Sequence, residues 1–305
     1  MAQPLNQPPA REIKGEIEKE HKIFFELGKQ LNEIIAQTLS AKTETNNKDI
    51  EKMIKSTVKD IKDTIEPYLT TLQNHAEEYR FWGWIEPDRH LVYLTHLNAG
   101  LKIYTILTGD DAAQVRQKLN ELEGEVYKTL SLMYTLIVSK KSSRLKTIED
   151  IINSSVKVHS NRAIYNINTI FCKMENVKIE NEAIKMLLGR IIEEAKKLQE
   201  ELEKFKSEKV KITSVDDIIR FMKKFSGLLE QSAVVMRWIE QIYYFDKEFY
   251  GELDIHYLAE DTYDDLVLVL EALREEDIAY FEDLDRICSD ENLAKYHTLE
   301  CGDDE

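Results

Sequence analysis

The sequence predicts an all-α protein, an elongated bundle of about seven to nine long amphipathic helices with coiled-coil-like seams. Three observations carry that expectation. Only 10 glycines and 5 prolines occur in 305 residues, far below average usage, so turns are few and helices long. Ile184, Leu188, Ile191, Ala195, Leu198, Leu202 and Phe205 recur at alternating steps of four and three, a strict a/d seam. No run of alternating apolar and polar residues marks a strand, and no fixed-period repeat occurs.

Each element has its own signal. Residues 1–11 are polar and Pro-rich and read as a disordered tail without the apolar core of a secretory signal. From Glu12 to about Ser40, Ile17, Phe24, Leu27, Leu31 and Ile34 recur at helical spacing. After the polar run KTETNN a second helix carries Ile50, Ile54, Val58, Ile61 and Ile65. Pro67 is expected to end or kink it near Glu66, because proline lacks the backbone donor. FWGWIEP at 81–87 is the densest aromatic knot, and Pro87 suits the first turn of a third helix running to about Leu107. TGDD at 108–111 separates it from a fourth, which carries Val115, Leu119, Leu122, Val126, Leu130, Met133 and Ile137.

Beyond the break SKKSSR, Thr147 with Asp150 has the spacing of a capping box and predicts a helix to about Lys173. The seam helix follows, with Glu193–Lys197 and Glu200–Lys204 in the favourable Glu-before-Lys order. Ser214 with Asp217 predicts the start of a long helix through Ile218, Met222, Phe225, Leu229, Met236, Ile239 and Tyr243. A further helix is expected over about Thr262 to Cys288, and Ser289 suits the cap of a short last one. The expected organisation is a tail (1–11), an N-terminal helical bundle (12–210) and an acidic C-terminal helical region (211–305), divided around Val210 to Thr213.

Charge is distributed unevenly. The net charge is −16, which argues against nonspecific binding to nucleic acid or an anionic membrane. From Asp246 to Glu305 there are 21 acids against four Lys or Arg, leaving 36 acids and 37 bases in residues 1–245. Nearly all the negative charge therefore belongs to the last part of the chain. No apolar stretch approaches the ~18 residues of a membrane span. Three widely spaced cysteines, Cys172, Cys288 and Cys301, argue against a disulfide framework and for a reducing, cytoplasmic setting.

No P-loop, GxGxxG, GxSxG, HExxH or paired CxxC occurs, and no cofactor is expected. The stretch EEYRFWGWIEPDRHLVYLTHLNAGLKIYTILTG (77–109) resembles the aromatic-rich central helices of translin-like bundles. The acidic residues that such nucleases place there are not matched at His90 to Ala99, so no function is carried over.

Residues 247–266, KEFYGELDIHYLAEDTYDDL, place Glu248, Glu252, His256, Glu260 and Asp264 at steps of four. On one straight helix each step drifts by ~40°, so Glu248 and Asp264 end ~160° apart and share no ligand. Glu252, His256 and Glu260 are the only subset able to face one metal. Gly251 weakens helix there, suggesting a hinge between Tyr250 and Asp254. Like charges at i,i+4 destabilise a helix by only about 0.2–0.5 kcal/mol, so a solvated acidic face needs no partner. Interleaved aromatics, including Tyr243, Tyr244, Phe249, Tyr250, Tyr257, Tyr280 and Phe281, favour a protein contact surface. Phe249, Leu253 and Tyr257 read as a buried stripe.

The function expected is a non-enzymatic scaffold, adaptor or regulator. Glu248, Glu252, Glu260, Asp264 and Tyr250 are the candidate contact residues for a basic protein partner. Such an acidic surface could also imitate nucleic acid toward a nucleic-acid-binding protein. The seam at 184–205 offers a surface for self-association into a homo-oligomer, although its packing inside the same chain is the slightly favoured reading. The second reading is a helical-bundle metalloenzyme using Glu252, His256 and Glu260, or the lone Glu-x-x-His at Glu18 and His21. His90 and His96, six residues apart, do not share a helix face and read as core residues. The third is nucleic-acid binding through Lys140, Lys141, Arg144 and Lys146, which otherwise form a solvated loop.

Overall fold

The structure is a computed structural model that describes residues 10–39, 47–82, 87–140, 143–175 and 177–273. These form α1 (Ala10–Thr38), α2 (Lys48–Trp82), α3 (Pro87–Thr108), α4 (Ala113–Lys140), α5 (Arg144–Glu175), α6 (Glu182–Ser207), α7 (Val215–Phe245), α8 (Lys247–Leu253) and α9 (His256–Glu271), with no strand among the described residues. The protein is all-α, with helix packed on helix. No helix among the described residues is long and apolar enough to cross a membrane. Most of the expected tail, residues 83–86 of the aromatic knot, and everything expected beyond residue 273 lie outside the described residues.

The chain forms two compact units. One comprises Met1–Glu44, Thr57–Thr147 and Ile212–Lys223; the other comprises Thr45–Ser56, Ile148–Lys211 and Lys224–Glu305. Segments interleave, so α2, α5 and α7 are each divided between the units.

In the first unit, α1 and α3 both pack against α4. Phe24, Leu31 and Ile35 of α1 are buried, as are Val115, Leu119, Leu122 and Val126 of α4. Along α3, Leu91, Leu94, Leu97, Leu101, Ile103 and Tyr104 are buried, almost all round the helix, as expected of a central element. A Cβ at Gly100 would meet Ile61 Cγ1 at 2.6 Å, so only glycine permits this approach of α3 to α2. His90 is fully buried, its Nδ1 3.2 Å from the Tyr68 hydroxyl, with the Phe24 ring 5.5 Å away. Burial pushes the Tyr68 phenol far above its usual range, so it stays neutral in the core. His90 is thus a satisfied core residue, as its sequence context suggested. TGDD ends α3 with Gly109 at φ +70°, and the Asp110 carboxylate accepts the Ala112 N–H at 3.0 Å before α4.

Pro67 does not end α2, which runs through it to Trp82. Ile65, Tyr68 and Leu72 around it are buried. At roughly 1.5–3 kcal/mol each, they outweigh the ~3 kcal/mol that an internal proline costs.

The second unit buries the a/d seam. Ile184, Leu188, Ile191, Ala195, Leu198, Leu202 and Phe205 are all at most 4% exposed, so the seam is closed within its own chain. Ile152, Val156, Ile164 and Ile167 of α5, Phe225, Leu229, Trp238 and Ile242 of α7, and Leu258, Leu266 and Leu270 of α9 join the core. Lys197 pairs with Glu193 at 2.8 Å as expected, whereas Lys204 turns to Glu201 at 2.6 Å.

Helix starts agree with the sequence at one of two capping boxes. At α7 the Ser214 hydroxyl accepts the Asp217 N–H at 3.3 Å, and the Asp217 carboxylate accepts the Thr213 and Ser214 N–H groups at 2.9 and 3.1 Å. At α5 the helix opens at Arg144, three residues before Thr147. The Ser143 carbonyl already takes the Lys146 and Thr147 N–H groups, so Thr147 sits inside the first turn and does not cap.

Candidate partner-binding surface

The acidic segment is built from three elements of the second unit: the end of α7, α8 and the start of α9. Asp246 interrupts the helix in extended conformation and accepts the Phe249 N–H at 2.9 Å, capping α8. Asp254 ends α8 in the left-handed region, at φ 47° and ψ 49°. Lys173 holds that turn by donating to the Asp254 carbonyl at 2.9 Å and its carboxylate at 3.3 Å.

This break corrects the premise of the step-of-four series. Glu248 and Glu252 lie on α8, while His256, Glu260 and Asp264 lie on α9. The interruption falls at Asp254 and Ile255, whereas Gly251 is helical. Among the described residues no group of three His, Cys, Asp or Glu side chains converges to hold a metal. Instead the His256 ring stacks on Tyr250, with centroids 4.9 Å apart and planes at 24°. The expected buried stripe also ends at the break: Leu253 is buried, Phe249 half-buried, and Tyr257 38% exposed. Tyr257 belongs to the next helix, so its spacing from Leu253 no longer implies a shared face.

What the elements do assemble is a run of aromatic rings. Tyr243 meets Tyr244 edge-on at 5.9 Å and Tyr250 at 5.5 Å. Tyr250 stacks on His256, which meets Tyr257 edge-on at 6.0 Å. Tyr243 and Tyr257 are the exposed members, at 43% and 38%. Glu248 and Glu252 of α8 and Glu260 and Asp264 of α9, named from the sequence, are all exposed, and Tyr250 is half-buried among the rings. Burial, then the Glu240 and Glu260 carboxylates and Tyr243, push the Tyr250 phenol up to about 12. Two ammonium groups already sit over ring faces, Lys247 over Tyr243 and Lys173 over Tyr257, each at 5.4 Å. The surface thus combines electron-rich ring faces with carboxylates that have no ion pair among the described residues, a pairing that attracts cations twice over.

A second cluster of the same unit carries no motif in the sequence. His159, 1% exposed on α5, has Nδ1 2.9 Å from Asp265 of α9, and Arg162 reaches the same carboxylate oxygen at 3.4 Å. These partners lie more than a hundred residues apart. The available signal was a histidine amid the apolar positions of α5 and an aspartate on the buried side of α9.

The remaining candidates stay dispersed. The side chains of Glu18 and His21 lie outside the described residues. Of the basic cluster, Lys140 ends α4, Lys141 lies outside the described residues, Arg144 opens α5 and Lys146 is exposed in its first turn. No family model matches the chain, and neither a curated protein nor a solved structure matches it. The likeness of residues 77–109 to translin-like helices therefore gains no support.

Proposed function

We propose that the chain is a non-enzymatic helical adaptor or regulator that docks a basic protein segment on the aromatic and acidic surface of α7, α8 and α9. One observation carries this reading: exposed Tyr243 and Tyr257 each already hold a lysine ammonium over the ring, amid exposed Glu248, Glu252 and Glu260. A partner's arginine or lysine would replace or join these groups, drawn in by the carboxylates and held on the rings. Arginine suits the rings best, because its planar guanidinium stacks and keeps its charge.

The test is calorimetric titration of a short Arg- and Lys-rich peptide into the full chain and a Tyr243→Ala/Tyr257→Ala variant. Both tyrosines are exposed, so the variant is expected to keep its fold. Each lost ring should weaken binding by about 0.5–1 kcal/mol. Unchanged affinity in the variant, with wild-type-like circular dichroism, would remove the surface from the proposal.

A further inference from the structure

Where α1 meets α4 in the first unit, three charged side chains gather at one point. Glu20 of α1 is 2% exposed, and its Oε1 accepts the Lys128 ammonium of α4 at 2.6 Å. Lys128 also reaches Glu125, one turn back on α4, at 3.2 Å. The carboxyl groups of Glu20 and Glu125 lie within hydrogen-bonding reach of each other. We propose that these residues form a pH-sensitive clasp: one proton shared by the two carboxyl groups seats the N-terminal part of α1 on α4, and its loss loosens that part. The clasp belongs to the first unit and does not depend on the ring surface of the second.

Charge balance is the first argument. Two carboxylates against one ammonium leave a net negative charge at a covered point, and a single proton removes it. Lys128 takes Oε1 of Glu20, and Oε2 is buried without a hydrogen-bond donor among the described residues. An ionised Glu20 has no hydrogen to give. A protonated one donates to the Glu125 carboxylate, which turns a repulsion into a charge-assisted bond. Burial, then the Glu125 carboxylate, hold the Glu20 carboxyl above its ordinary value. The bond from Glu20, opposed by burial and aided by Lys128, holds Glu125 below its own. The shared proton therefore resides on Glu20.

The surroundings confine the effect to one end of the helix. Among the described residues, Glu125 and Lys128 are the charged groups acting on Glu20 from α4. On α1, Glu16 pairs with Lys19 at 2.5 Å and also feels Lys128. From α3, the His90 ring lies against Phe24, one turn further along α1, and meets the Tyr68 hydroxyl of α2. Phe24, Leu31 and Ile35 are buried, and a Cβ at Gly28 would lie 2.7 Å from Leu72 Cδ1 of α2. Apolar contact thus holds α1 from Phe24 onward at any pH, and the clasp governs the turns before it. A raised folded value means that the contribution of Glu20 is complete below the ordinary glutamate value of ~4.3 and is lost as pH rises through the folded value. Glu125 acts in the opposite sense, its contribution being lost as pH falls through its depressed folded value. The N-terminal part of α1 is therefore held best in mild acid and opens more readily as pH rises to neutral.

Hydrogen–deuterium exchange of the full chain, corrected for intrinsic exchange rates and followed from about pH 5 to about pH 8 across the glutamate range, reads this opening directly. Residues 28–38 of the same helix are the internal reference. Opening of residues 14–23 relative to that reference should rise about two- to fivefold across the range, the scale of a partly exposed charge interaction. Glu20→Gln, whose amide donates to Glu125 at every pH, should keep the low opening of mild acid throughout. Glu125→Gln removes the second carboxylate and should also flatten the profile. A flat wild-type profile, or the same rise in both variants, would overturn the proposal. Where a variant fails to fold, a carbon-13 titration of the glutamate carboxyls of the wild type decides. One carboxyl should titrate above the rest in step with the exchange of residues 14–23, and the absence of such a carboxyl would overturn the clasp.

Discussion

His159 sits almost wholly out of solvent, with its Nδ1 2.9 Å from the Asp265 carboxylate. An imidazole nitrogen left unpaired in such a place costs about 1–3 kcal/mol. Asp265→Ala should lower stability to urea by that amount, and Asp265→Asn by less, because an amide still bonds the ring. Equal losses would show that the pairing contributes little. Asp217 makes a contribution that depends on pH. Hydrogen bonds from the Thr213 hydroxyl and N–H, then from Ser214 and Arg220, hold its carboxyl well below the usual range. A depressed folded value means the contribution is complete above the ordinary aspartate pKa of ~3.9 and is lost as pH falls through the folded value. Asp217→Asn should therefore be less stable than wild type near pH 7, by about 1 kcal/mol as for other caps, and the gap should close in acid. A gap independent of pH would assign the effect to shape rather than charge. Residues of this kind differ in legibility. Ser214 and Asp217 are three apart and announce themselves, whereas His159 and Asp265 are joined only by folding.

Helices were legible because their signals are local. Periodicity located the seam, Pro87 marked the start of α3 and TGDD its end, and in each case the residues that decide lie within one or two turns. Pro67 and Thr147 misled for a shared reason: neighbouring interactions outweighed a single-residue preference. Buried Ile65, Tyr68 and Leu72 carry α2 through the proline, and the Ser143 carbonyl starts α5 early. The break between α8 and α9 depends on Asp254 in a left-handed conformation, a geometry that costs an L residue roughly 1–2 kcal/mol. Asp254→Val should lower thermal stability more than Asp254→Gly, since glycine adopts this conformation freely while losing the carboxylate contact to Lys173. The reverse order would show that the Lys173 contact, rather than backbone strain, governs the turn. The approach of α3 to α2 offers a parallel test. Gly100→Val should cost about 1–3 kcal/mol by overpacking against Ile61, and Ile61→Ala should recover part of it in the double variant. Additive losses would mean the two sites do not touch.

Over the whole chain, composition sets the charge and folding decides where it is presented. Counting residues located the acidity after Asp246, and the structure places Glu248, Glu252, Glu260 and Asp264 on exposed positions of two helices. The sequence could not reveal that α8 and α9 bring Tyr243, Tyr250, His256 and Tyr257 into one run of rings, because the run crosses two helix breaks. Exposed charges are screened beyond ~8 Å at physiological ionic strength, so the carboxylates should govern encounter and salt sensitivity while the rings supply contact. The most direct measurement is the affinity of the full chain for a labelled Arg- and Lys-rich peptide, read by fluorescence anisotropy at low and physiological ionic strength. Wild type would be compared with a Glu248→Gln/Glu252→Gln/Glu260→Gln variant. Wild type should bind, weaken as salt rises, and exceed the variant most clearly at low salt. Equal affinity of the two proteins at both salt concentrations, or equal binding of an acidic control peptide, would contradict a surface built for a basic partner.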